Sequence, residues 1–181
     1  MVATRHVTVE EFAAMPLQRI WELIDGKPVE LTPAAGRSGW ISGNVFAMLA
    51  SHVRKGRLGW AFPPETGFVL FADRQIVRSP DAAVVLGDRL AAPADSFVPL
   101  APDLAVEVLS PSDRMADAMC KITMYLQAGV RLVWLVDPET LTVTIFGQDA
   151  APRMVSEGDT LDGGEVLPEL RIPVAEIFSQ G

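Results

Sequence analysis

Residues 103–136 constrain the fold of this chain more than any other stretch. Residues 103–109 read as an apolar strand, Ser110-Pro111-Ser112 as a turn, and residues 113–128 as a helix ended by Gly129. Residues 131–136 then form a second apolar strand, and Asp137-Pro138 turns into a further one at 141–146. A strand, helix and strand of this size make a crossover unit, which is expected to be parallel and right-handed. Parallel strands are covered on both faces, so layers must lie above and below this sheet.

The preceding half is richer in turns. Thr8-Val9-Glu10-Glu11 matches a capping box, so a short helix is expected over 9–15, with Pro16 closing it. Asp25-Gly26 lies between strand-like segments 21–25 and 28–32 and signals a hairpin. Residues 33–39 read as a loop. Ile41, Val45, Met48, Leu49 and His52 then recur at helical spacing, with Gly56 at the stop. Strands are expected over 58–62, 66–71 and 76–86, and an exposed loop over 87–101. Beyond Gly147 the pattern weakens to Pro, Gly and acidic residues, with one short helix over 174–178. The fold class is therefore mixed α/β, with hairpins first and a crossover later.

With no internal repeat and no shift in composition, the 181 residues are expected to form one domain. It divides into an N-terminal helix and hairpin (8–32), a core (38–147) and a C-terminal extension (148–181). No apolar run approaches the roughly 18 residues of a membrane span. The first twelve residues include Glu10 and Glu11 and no apolar stretch, so a secretion signal is not expected there. Cys120 is the only cysteine, which excludes a disulfide framework and a cysteine-based zinc site. These features together lead to a cytoplasmic expectation. Fifteen Lys and Arg against 23 Asp and Glu give a net charge of −8, which disfavours sequence-blind attraction to phosphate backbones.

Glu107 breaks the apolar run Leu104-Ala105-Val106-Glu107-Val108-Leu109. An ionised carboxylate between two covered faces costs several kcal/mol unless cations or donors meet it. The alternative is that Glu107 lies on an exposed face or at a strand end. Lys121 is the expected partner. Glu107 precedes the strand end by three residues, about 10 Å. The helix runs back along the strand, and Lys121 sits eight residues in, about 12 Å. Asp113, Asp117, Lys121 and Tyr125 share a four-residue spacing, whereas Met115, Met119, Ile122 and Leu126 form a separate apolar stripe. A surface pair of Asp117 with Lys121 would be the plainer reading of those two residues. Asp81 follows Pro80 at a strand start, either as a simple turn residue or as a second carboxylate. With Glu107 on a neighbouring strand it forms a hard-metal donor set, since two carboxylates, a carbonyl and waters suit Mg²⁺.

Five ordered blocks, spanning roughly 8–147, now carry a resemblance. They are Trp21-Glu22-Leu23-Ile24-Asp25-Gly26, Arg78-Ser79-Pro80-Asp81, residues 102–112, the spaced Asp117, Lys121, Tyr125 and Gly129-Val130, and Val133-Trp134-Leu135-Val136-Asp137-Pro138. The chain resembles the Uma-type putative restriction endonuclease family, which is itself similar to the PD-(D/E)XK nucleases. The resemblance implies a restriction endonuclease-like core, a mixed central β-sheet with flanking helices. It implies a metal-dependent endonuclease, with Asp81 and Glu107 binding Mg²⁺ or Mn²⁺ alongside the carbonyl of Val108, and Lys121 completing the catalytic set. The superfamily lysine position, two residues after the acid, is Leu109 here, and the family takes its lysine from the following helix. The loop before the long helix has Ser38-Gly39 where relatives tend to have His-Gly. Glu22 matches an acidic family position and either supports the metal or is an exposed hairpin residue. Asp117 and Tyr125 are supporting candidates, and Arg78 and Ser38 candidate substrate contacts. DNA is the implied substrate, and a homodimer follows by analogy with nucleases that cut both strands.

Two readings stand at this point. One is a metal-dependent DNA endonuclease. The other is a non-catalytic relative, a binding or assembly module in which Glu107 and Lys121 form a buried ion pair. A paired-carboxylate glycosidase leaves Lys121 without a role. No P-loop, dinucleotide fingerprint or nucleophile elbow is present. His52 reads as a packed or rim histidine, and Arg54, Lys55 and Arg57 as a solvated helix end.

Overall fold

The computed structural model describes residues 6–16, 21–93 and 95–179. Helix α1 (Val9–Ala13) opens on the expected capping box, in which Thr8 Oγ1 accepts from Glu11 N and Glu11 Oε2 from Thr8 N, both at 3.1 Å. Strands β1 (Trp21–Ile24) and β2 (Lys27–Glu30) form the hairpin. Its turn places Asp25 at φ 45° and Gly26 at φ 70°, the left-handed pair such a two-residue turn requires.

Helix α2 (Gly36–Gly56) begins within the segment expected to be loop, and it buries Ser38, Ile41, Ser42, Val45, Leu49 and Val53. Strands β3 (Gly59–Phe62) and β4 (Phe68–Phe71) follow. The apolar segment 76–86 forms two strands, β5 (Ile76–Arg78) and β6 (Ala82–Leu86), the second opening after Asp81 as expected. Ser79-Pro80-Asp81 carries the chain between them from one sheet to another. Proline has no N–H to give a ladder, and the break falls there.

The crossover forms as expected. Strand β7 (Leu104–Val108) leads through α3 (Met115–Gln127) to β8 (Leu132–Asp137), and the two strands pair in parallel with Glu107 opposite Leu135. Strand β9 (Thr142–Gly147) continues antiparallel. Residues 148–173, which the sequence pattern left without strands, contain β10 (Arg153–Ser156), β11 (Thr160–Gly163) and β12 (Leu167–Pro173) before α4 (Val174–Phe178).

The central sheet runs β10-β9-β8-β7-β6-β3 and is mixed, with β7–β8 its parallel pair. A smaller antiparallel sheet runs β2-β1-β5-β4, and β11-β12 is a separate hairpin. Strand residues alternate between faces. One face of the central sheet (Val84, Leu104, Val106, Trp134, Val136) packs on α2 and on the tail residues Leu161, Leu167, Val174 and Ile177. The other face (Val85, Ala105, Val133, Leu135) packs on α3 through Ala118, Ile122 and Tyr125, and on Phe68 and Ile76 of the small sheet. Alternation therefore points Glu107, two residues after Ala105, at α3. The buried stripe of α3 differs from the expected one. Met115 and Met119 are exposed and Tyr125 is fully buried, because the helix turns toward Glu107 the one aromatic residue able to donate to it. Among the described residues no helix is long and apolar enough to cross a membrane.

Candidate active site

Glu107 is 8% exposed, and both its carboxylate oxygens are met from α3. Lys121 Nζ donates to Oε2 at 2.9 Å and Tyr125 Oη donates to Oε1 at 2.6 Å. Lys121 and Tyr125 are four residues apart, so they stand one above the other on the same helix face. The depth match read from strand and helix rise is thus a direct contact. Burial pulls the Lys121 ammonium toward its neutral form. The charge of Glu107, with Glu22 adding to it, more than reverses this and holds its pKa above the usual lysine value. Tyr125 is raised well above the usual phenol range, first by burial and then by Glu107, so its hydroxyl stays a proton donor.

Asp81 lies one residue beyond the last β6–β7 pair, Ala82 with Val106, which brings it level with Glu107. Its own N–H donates to Val106 O at 2.9 Å, and Val108 N donates to its Oδ2 at 2.7 Å. Burial pushes its carboxyl up to about 7, with the negative charge of Glu107 second; the Val108 N–H, Lys121 and the Ser42 hydroxyl oppose the rise only in part. Asp81, Glu107, Val108 and Lys121 all line one cleft of about 650 Å³. The 31–35 segment, Pro64-Glu65 and the Ser110, Ser112 and Asp113 loop form its walls.

The remaining candidates are placed differently. Glu22 is 1% exposed rather than an open hairpin residue. Its Oε2 accepts from Arg78 Nη1 at 2.5 Å and its Oε1 from Ser79 N at 3.0 Å, and it does not border the cleft. Arg78 is buried in the same pair and also donates from Nε to Met124 Sδ at 3.5 Å, so it is not a free cation for a substrate. Ser38 is buried at the start of α2, donating to Ala35 O at 3.1 Å and sharing a hydrogen bond with Ser110 Oγ at 2.9 Å. It lines a neighbouring recess of about 240 Å³ instead of the acid cleft. Asp117 is exposed, and its carboxylate meets no partner among the described residues.

Two contributors lie outside the expected site residues, although Asp113 shares the four-residue row of Lys121 and Tyr125. Asp113 Oδ2 accepts from Ser110 N at 2.7 Å and shapes the loop bordering the cleft. Ser42, one turn after Ser38 on the buried face of α2, faces Asp81. Two serines inside an otherwise apolar helical stripe were its signal.

Two converging acids at the end of a β6–β7 pair, a lysine from the next helix and a mixed sheet between helices define a restriction endonuclease-like α/β protein. The model of the Uma2 family, described as "Putative restriction endonuclease", matches residues 9–175, and the chain belongs to that family. In the solved structures it is similar to a putative nuclease of DUF820 from Anabaena variabilis. The TM-score is 0.80 and the identity 22%, over 95% of this chain and 97% of that one. No curated protein matches the sequence.

Proposed function

We propose that the protein is a Mg²⁺- or Mn²⁺-dependent phosphodiesterase that cleaves DNA. The observation that carries this reading is the pairing of Asp81 and Glu107 in one cleft, with one carboxyl driven up to about 7 by burial and by its neighbour's charge. One buried and one half-buried carboxylate served by one lysine leave negative charge that a divalent cation would neutralise. The donors are hard oxygens, so the set fits such an ion. Among the described residues no three His, Cys, Asp or Glu cluster as ligands. Asp81, Glu107 and the carbonyl of Val108 would hold the ion, with water filling the rest. Bound there, it would lower the pKa of a water and polarise a phosphoryl oxygen.

The chain's own groups supply the rest. Val108 N–H fixes one oxygen of Asp81, and Tyr125 fixes one oxygen of Glu107. Lys121 brings a permanent cation to the cleft, where it stabilises charge that develops on a phosphate. The walls add Glu30, Glu65 and Asp113 to the two acids, so DNA binding as well as cleavage should depend on the divalent ion. A homodimer that cuts both strands, located in the cytoplasm, belongs to the same reading.

A second reading is favoured by two features. Both oxygens of Glu107 already have partners inside the protein, and Ser38 stands where relatives tend to have His, which suits a non-catalytic binding module. Plasmid and single-stranded DNA, incubated with Mg²⁺ or Mn²⁺, separate the two. The enzyme cleaves, its melting temperature rises with metal, and Asp81→Ala and Glu107→Ala abolish cleavage. No metal-dependent shift and no cleavage across substrates would establish the binding module instead.

A further inference from the structure

We infer that Glu22 is a positioning residue that grips, from the small sheet, the two segments that meet at the cleft. The inference deepens the nuclease reading and rests on it for what the positioning serves. Asp81 belongs to no strand; it ends the link Ser79-Pro80-Asp81 between β5 in the small sheet and β6 in the central one. Its placement therefore depends on how the end of β5 is held. β1 and β5 share the pair Leu23 with Val77, and the same register sets Glu22 opposite Arg78. Glu22 holds that end twice, through Ser79 N at 3.0 Å and Arg78 Nη1 at 2.5 Å.

Arg78 extends the grip to the other half of the site. Its Nε reaches Met124 Sδ at 3.5 Å, and Met124 lies on α3 between Lys121 and Tyr125. One carboxylate thus ties the segment bearing Asp81 to the helix bearing the partners of Glu107. Neither Glu22 nor Arg78 lines the cleft, so both act through other residues. A buried ion pair is weak evidence of stabilisation, since a packed apolar pair of similar volume often serves as well. What it adds here is direction, because a carboxylate takes donors at fixed angles and Arg offers a planar fork.

The test is Glu22→Gln in the full chain. Val108 N–H donates to Asp81 Oδ2, so its amide exchange reports where Asp81 sits, and Ala105 on the same strand is the internal reference. In metal-free protein, Val108 exchange should accelerate about tenfold relative to Ala105, and Mn²⁺ affinity by calorimetry should fall about ten- to a hundred-fold. The kcat on DNA should fall while KM is unchanged. A Val108-to-Ala105 ratio equal to that of the wild type overturns the inference. Should the Gln variant not fold, Arg78→Lys, which keeps the charge and loses the fork, is judged by the same ratio. A wild-type chain that neither binds Mn²⁺ nor cuts DNA overturns the nuclease reading; the exchange ratio, measured without metal, still decides the positioning.

Discussion

Asp81→Asn should make the metal-free protein more stable at pH 8. In the unfolded chain this carboxyl titrates near 3.8, and in the fold burial and Glu107 push it up to about 7. Between those values the folded state holds a proton that the unfolded state has released. Stability is therefore lost as pH rises through that window, and above about 7 the fold carries the whole penalty. Roughly three pH units at about 1.4 kcal/mol each set a ceiling of about 4 kcal/mol. Relaxation and water entry reduce it, so a gain of about 2–4 kcal/mol is expected. For a chain of this length that is about 5–15 °C in Tm. Asn preserves the shape and an oxygen for the Val108 N–H, so the substitution removes charge and little else. Calorimetric melts of both proteins in EDTA from pH 4 to 8 make the measurement. The curves should converge near pH 4, separate steadily as pH rises and keep a constant gap above about pH 7, and Mn²⁺ should close the gap by stabilising the parent. Parallel curves for the two proteins across that range would refute the account of a charge-strained carboxyl.

Three further substitutions probe the neighbouring contacts. Lys121→Met leaves the Glu107 charge with Tyr125 alone. Urea unfolding should show a loss of about 1–3 kcal/mol, below the fully buried case because the lysine side chain is 27% exposed. Turnover should fall at least about a hundred-fold with Mn²⁺ binding retained. Tyr125→Phe removes the 2.6 Å donor to Glu107 in a fully buried position and should cost about 1–3 kcal/mol in the same assay. Asp103→Ala is the control away from the cleft. It strips Leu86 N and Arg89 Nη1 of an acceptor, both at 2.8 Å, and should cost about 2 kcal/mol while calorimetry shows unchanged Mn²⁺ affinity.

The parts of this fold that could be read from sequence are those governed by local geometry. The hairpin was legible because Asp25-Gly26 suits one turn type, and the crossover because two apolar strands bracket a helix ended by a glycine. Glu107 and Lys121 could be matched in depth because strand and helix rise are fixed lengths. Contacts set by partners far along the chain were not legible. Glu22 meets Arg78 across 56 residues, and nothing in either local pattern distinguishes a buried pair from two surface charges. Pro80-Asp81 marked the start of the strand 82–86, but alternation does not encode that the two halves of 76–86 join different sheets. Met115 and Met119 are more apolar than Tyr125, yet they face solvent and it does not, because the hydroxyl is required at Glu107. Strand β10 buries one residue in four, too few to show a period of two.

The sealing of the α2 face has a consequence for how the chain is made. Leu161, Leu167, Val174 and Ile177 complete a layer whose other members begin at Ile41, and α4 is tied to α2 through Asn44 Nδ2 and Ile177 O at 3.3 Å. These residues leave the ribosome after every strand of the central sheet. Until they arrive, Val106 and Trp134 sit beneath an unfinished cover, so a nascent chain has an oily flank in water and neighbours it could stick to. Productive folding should therefore begin after synthesis passes Ile177, and should be slow, since so many of its defining contacts join distant parts of the chain.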